Sequence, residues 1–171
     1  AFYDTLSTLL KSHFDIRYNP LNYYQSYTYY TFGLLDKIFF EKYPDTIYNR
    51  YFNNDYILYN NPAYMNLFNS NYENYLYNSR YISKDLLTQT INEKADYLTL
   101  FNEAGRDPML VNERVRELVI IKNLGEMYSN DEFDKGHILQ LLQYIKDSSH
   151  FPEHLPIIDH LLAHLKDTNS N

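Results

Sequence analysis

The sequence predicts an all-α fold: an irregular antiparallel bundle of about seven to nine helices joined by short connections. Three observations carry this reading. Apolar residues recur every three or four positions through most of the 171 residues. Only four glycines occur, Gly33, Gly105, Gly125 and Gly136, fewer than the turns of a sheet-rich chain would use. The prolines punctuate helices instead, since Asn61–Pro62 and Asp107–Pro108 each set a capping side chain before a proline at a first helical position.

Taken in order, Phe2, Leu6, Leu9, Leu10 and Phe14 place a helix over 2–14. Tyr23, Tyr27, Tyr30, Leu34 and Ile38 place a second over 20–42, stopped before Pro44. A short helix follows over 44–53. Residues 55–60 read as an extended connector, because Tyr56–Ile57–Leu58–Tyr59 is bulky and partly β-branched. Met65, Phe68, Tyr72, Tyr75 and Leu76 form the stripe of a helix over 62–78.

Ser83 can cap the next helix, over 83–104, with a break expected near Asn92. Over 108–128, Val115, Leu118, Val119, Ile120, Ile121 and Leu124 cover more than one face, which places this helix at the centre of the core. Ile138, Leu141, Leu142 and Ile145 mark a helix over 134–147. Ile158, Leu161, Leu162 and Leu165 mark the last, over 155–166. The chain reads as one helical domain over 1–166, with a looser part over 1–55 and a core part over 56–166. A polar tail or linker start occupies 167–171. Asn and Tyr alternate densely between 49 and 78, but the apolar stripe persists there, so the stretch reads as folded.

Composition excludes several functions. A net charge of −7 opposes binding to nucleic acid and to anionic lipid. No run of 18 apolar residues is present. The first residues lack a basic segment followed by an apolar one, so no signal peptide is visible. With no cysteine, thiolate nucleophiles, disulfides and zinc–thiolate sites are ruled out. Twenty Tyr and ten Phe with no Trp point to a core edged by aromatic rings whose hydroxyls reach polar partners.

Few residues suggest chemistry. His150 and His154 are four apart, as are His160 and His164, a spacing that lets two imidazoles chelate one metal on a helix. His160 and His164 stand opposite the apolar stripe, so solvated histidines explain them equally well, and no third ligand is identifiable; no cofactor is expected. Glu113 and Glu117 are also four apart, interleaved with Arg114 and Arg116. Paired carboxylates serve acid–base catalysis, but beside arginines they more often form ion pairs. Clusters at Tyr23–Tyr30 and Tyr72–Tyr77 could form a glycan or peptide platform, or could pack inside. Phosphate loops, dinucleotide fingerprints, nucleophile elbows and zinc-protease motifs are missing from the sequence.

Three stretches carry a resemblance. They are Tyr59–Met65 with Leu67–Phe68–Asn69; Gly105–Leu110 with Asn112–Glu113 and Arg116–Val119; and Ile138–Leu139 with Ile145–Lys146 and the closing helix. Together, over about residues 56–166, they resemble the helical region that precedes the thioredoxin-like domain in redoxin-type thiol–disulfide oxidoreductases of the Gram-negative cell envelope. The resemblance implies an exported parent protein in the envelope or periplasm. It implies that a linker and a thioredoxin fold with Cys-x-x-Cys continue past residue 166, and a start at Ala1 with a polar tail fits an excised piece of such a parent. None of that family's catalytic residues has a counterpart here.

The expected role is therefore a non-catalytic spacer, partner-binding surface or placement device, with the thioredoxin-like domain of the same chain, or another protein, as partner. Asn61, Pro62, Asp107 and Pro108 are expected to start helices, and Arg116 and Glu117 to bond neighbouring helices, with Arg116 in a buried pair with a carboxylate. A free-standing tyrosine-rich binding module and a metal enzyme built on the C-terminal histidines are the competing readings.

Overall fold

A computed structural model describes residues 23–40, 44–54 and 56–168. Among them are eight α-helices and no strand, so the chain is all-α. They are α1 (Tyr23–Phe39), α2 (Pro44–Ile47), α3 (Pro62–Asn71), α4 (Lys84–Thr88), α5 (Tyr97–Ala104), α6 (Glu113–Met127), α7 (Lys135–Ser148) and α8 (Leu155–Thr168). Wider π-helical turns, closed by i→i+5 hydrogen bonds, continue α2 over Tyr48–Phe52 and α4 over Gln89–Lys94. Short 3-10 turns occupy Pro108–Leu110 and Pro152–His154. The helix expected over 2–14 lies outside the described residues, and α8 runs through Thr168, into the stretch expected to be tail.

The chain divides into two compact units, the first ending at Asn71 and the second starting at Tyr72; the sequence places its softer boundary at 55/56.

In the first unit α1 packs on α3 through Ser26, Tyr30, Gly33 and Asp36. This corrects the expected stripe. Tyr23, Tyr27 and Ile38 are exposed, because the packed face of α1 is the one with small residues. A Cβ at Gly33 would overlap Leu67 and reach within 3.1 Å of the Tyr51 ring. Tyr30, Tyr64, Phe52 and Phe68 fill this core edge to face, with centroids 4.8 Å apart for Tyr30–Tyr64 and 5.8 Å for Phe52–Phe68. Asp36, fully buried, accepts from Arg50 and from the Tyr51 hydroxyl at 2.7 Å. Asn61 Oδ1 accepts the Tyr64 amide at 3.1 Å and its Nδ2 donates to Ser26, so Asn61–Pro62 starts α3 as the sequence suggests.

In the second unit α6 is the central helix. Val115 to Ile121, Asn123, Leu124 and Met127 are all buried along it. It meets α5, α7 and α8, and Gly125 lets Leu161 of α8 approach to 3.0 Å of where a Cβ would stand.

Three boundaries differ from expectation. The helix predicted over 62–78 stops at Asn71, and a turn follows in which Asn74 takes φ 48°. Asn123 of α6 supplies the bonds that a helix would have supplied: its Oδ1 accepts the Leu76 amide at 2.8 Å and its Nδ2 donates to the Tyr72 carbonyl at 3.0 Å. The break expected near Asn92 falls at Ala95–Asp96, where Ala95 turns left-handed at φ 45° and Asp96 caps α5. The helix expected over 108–128 is a 3-10 turn and then α6, because Asn112 intervenes and caps the Arg114 and Val115 amides.

Candidate functional site

The strongest gathering of chemical groups lies inside the second unit, around Glu117. Four segments deliver its members. Asp96 accepts from the Thr99 amide, and so starts α5 with Tyr97 as its first residue. Ser149 ends α7, and Pro152 opens the turn that carries His154. Glu117 itself comes from the most apolar stretch of α6.

Glu117 Oε1 accepts from Ser149 Oγ and lies 2.8 Å from His154 Nδ1. Its Oε2 accepts from the Tyr97 hydroxyl at 3.2 Å. The His154 side chain is 0% exposed and that of Glu117 5%. A carboxylate oxygen accepts, so the network assigns the Nδ1 hydrogen to the His154 ring. Burial, followed by the charge of Glu117, raises the Tyr97 phenol well above its ordinary range. Three donors therefore converge on one carboxylate. Ser149 faces Glu117 rather than the imidazole, so this set lacks the serine–histidine contact of a nucleophilic relay.

One residue earlier, Arg116 makes a second clamp. Its Nε donates to the Leu110 carbonyl at 2.9 Å, Nη2 to Val111 at 2.9 Å and Nη1 to Phe101 at 3.3 Å. The guanidinium also stands 4.3 Å from the Phe101 ring centroid. The carboxylate partner expected for Arg116 is thus replaced by backbone carbonyls at the end of α5 and the approach to α6. Burial lowers the guanidinium pKa, with the Glu113 charge opposing it.

Asp107 Oδ1 caps the Met109 amide at 2.8 Å and its Oδ2 accepts the Tyr75 hydroxyl at 2.7 Å. Pro108 opens the 3-10 turn rather than an α-helix.

The other candidates separate. Glu113 is exposed whereas Glu117 is buried, so the two carboxylates do not share a site. Arg114 pairs instead with Glu153 at 3.1 Å. His150, His160 and His164 are exposed, and His154, expected as the partner of His150, is turned to Glu117. No group of three or more His, Cys, Asp or Glu suited to a metal ion occurs among the described residues. An open hollow of about 510 Å³ lies beside Asn92, Glu132 and Asp134, and these residues bond one another: Asn92 Nδ2 donates to the Glu132 carbonyl and its Oδ1 accepts the Asp134 amide.

Sequence reasoning missed the roles of His154, Asn123 and Asn112. For Asn112 the signal was present, a capping residue directly before an acidic first turn. For His154 the only hint was its place beside Pro152, ahead of an apolar stripe. No helix among the described residues is long and apolar enough to cross a membrane. Comparison with protein-family models, with curated proteins and with solved structures finds no match.

Proposed function

We propose that the chain is a non-catalytic helical accessory domain of an envelope thiol–disulfide oxidoreductase, positioning a thioredoxin-like redox domain or presenting a surface to its partner. One observation supports the reading. The polar residues in the stretches behind the resemblance are engaged in building the helices. Asn61 and Asp107 cap, Arg116 holds three carbonyls, and Glu117 gathers three donors. Residues used in this way specify an architecture rather than a reaction.

The test is the coding sequence beyond Asn171. It should continue through a short linker into a βαβ pattern with Cys-x-x-Cys. A reading frame without such a domain removes the proposal. The tyrosine-rich binding module draws less support, since Tyr30, Tyr51, Tyr64 and Tyr72 are packed in the cores of their own units.

A further inference from the structure

Helix α1 packs on α3 by one side and leaves an uncharged stripe on the opposite one. With successive residues about 100° apart, Ser26, Tyr30, Gly33 and Asp36 share the packed side. Tyr24, Tyr27, Thr28, Thr31, Leu35 and Ile38 fall in a stripe about 100° wide on the other, and all six are exposed. Tyr24 is 81% exposed and Ile38 71%. The charged residues of α1, Asp36 and Lys37, lie off the stripe; Asp36 is buried with Arg50, and Lys37 bonds Ser70. The outward side of a helix on a monomer carries charged and polar residues. Here two tyrosines and two aliphatic side chains stand in their place. Together with Tyr23, whose ring stacks on Tyr27 at 6.1 Å, the stripe exposes on the order of 600 Å², the upper end of what a monomer leaves in one patch.

We infer that this stripe is the interface of a symmetric dimer, in which α1 of one chain lies antiparallel on α1 of a second copy with the twofold axis beside Thr31. The stripe matches itself in that register. Tyr24 and Ile38 stand seven positions either side of Thr31, and Tyr27 and Leu35 four, so all of them return to the face that Thr31 occupies. An isologous contact pairs each residue with its mirror position in the other chain. Tyr24 therefore meets the partner's Ile38, and Tyr27 meets the partner's Leu35. Each ring lies against an aliphatic side chain, and the smaller Thr31 stands at the crossing, where the two helices come closest. The area suffices, since two copies bury on the order of 1,200 Å², the lower end of specific interfaces. A twofold contact also sets every charge near its axis against a like charge. This stripe has none to set, although each chain carries a net −7.

Sedimentation of the whole chain from micromolar to millimolar concentration should show a 20.6 kDa monomer in equilibrium with a species of twice that mass. Thr31→Glu sets two carboxylates face to face at the axis and should weaken dimerisation roughly a hundredfold or more. Far-ultraviolet circular dichroism should keep its helical signal, because Thr31 is exposed. Thr31→Lys should weaken it likewise, and mixing the two variants should restore the dimer. The chain has no cysteine, so Thr31→Cys adds a single thiol, which mild oxidation should couple into a covalent dimer. Tyr24→Cys and Ile38→Cys should couple with each other and not with themselves. A chain that stays monomeric at millimolar concentration would overturn the inference and leave the stripe to an occupant other than a second copy. So would a dimer indifferent to both charges at Thr31, which places its interface elsewhere. Coupling of Tyr24→Cys with itself would overturn the antiparallel register.

Discussion

Nδ1 of His154 lies 2.8 Å from Oε1 of Glu117, 37 positions earlier in the chain, and neither group is open to water. Removing one partner leaves the other buried without its bond. His154→Ala and Glu117→Ala should each cost about 3–5 kcal/mol. Replacing both by alanine should cost less than the sum of the two, because the second removal no longer orphans the first partner. Denaturant melts of the four proteins form the required cycle; strict additivity would show that the two side chains do not act as a pair.

Arg116 fixes the end of α5 to the approach to α6 through three carbonyls. Arg116→Ala should lower the melting temperature, with a loss of about 3 kcal/mol or more. Arg116→Lys should rescue little, since one ammonium cannot reproduce the planar fork. Gly105→Ala should destabilise for the same reason: its Cβ would come within 2.7 Å of Arg116 Cζ, and this guanidinium is not free to move aside.

Asn123 holds the turn after α3 by both ends of its amide. Asn123→Leu keeps the volume but orphans the Leu76 amide and the Tyr72 carbonyl, at roughly 2–4 kcal/mol. Hydrogen exchange should show lost protection at Leu76 first; an unchanged rate there would mean that the turn holds itself.

Ala95 is a residue with a Cβ in the left-handed region, at φ 45°. Ala95→Gly relieves a strain of about 1–2 kcal/mol against a smaller entropic loss. The expected result is a small gain in stability, opposite in sign to the other substitutions. A lower melting temperature would indicate that the strain is absent.

Burial raises the phenol pKa values of Tyr30, Tyr51, Tyr64 and Tyr97 in the folded chain. Their unfolded values stay near about 10. Above that pH the unfolded state binds fewer protons, so stability, complete below it, declines as pH rises. Ultraviolet phenolate titration should show exposed tyrosines ionising first and a further group ionising only together with loss of helical signal. A single smooth titration of all 20 tyrosines with the helical signal intact would contradict this.

Periodicity in the sequence located the helices and identified α6 as central, because ten of its fifteen residues are buried and mostly aliphatic. It misjudged the packed side of α1. There the contact with α3 depends on Ser26 and Gly33, whose small size permits close approach and whose low hydrophobicity hides them from a stripe count. It also ran α3 too far, because the turn that follows is bonded by Asn123, a side chain 52 positions beyond Asn71. Caps were legible at Asn61, Ser83 and Asp107, where the signal is local. The Glu117 cluster was half legible: its carboxylate was singled out, but its partners come from three other segments, and spacing along the chain carries no trace of them.

The turn from Tyr72 to Leu76 takes its shape from α6, since Asn123 and Glu126 bond its backbone from about 50 residues downstream. During synthesis the stretch therefore leaves the ribosome well before the groups that mould it exist. It must wait, unshaped, until the central helix has followed, and closing so long a loop carries an entropic cost that a local turn avoids.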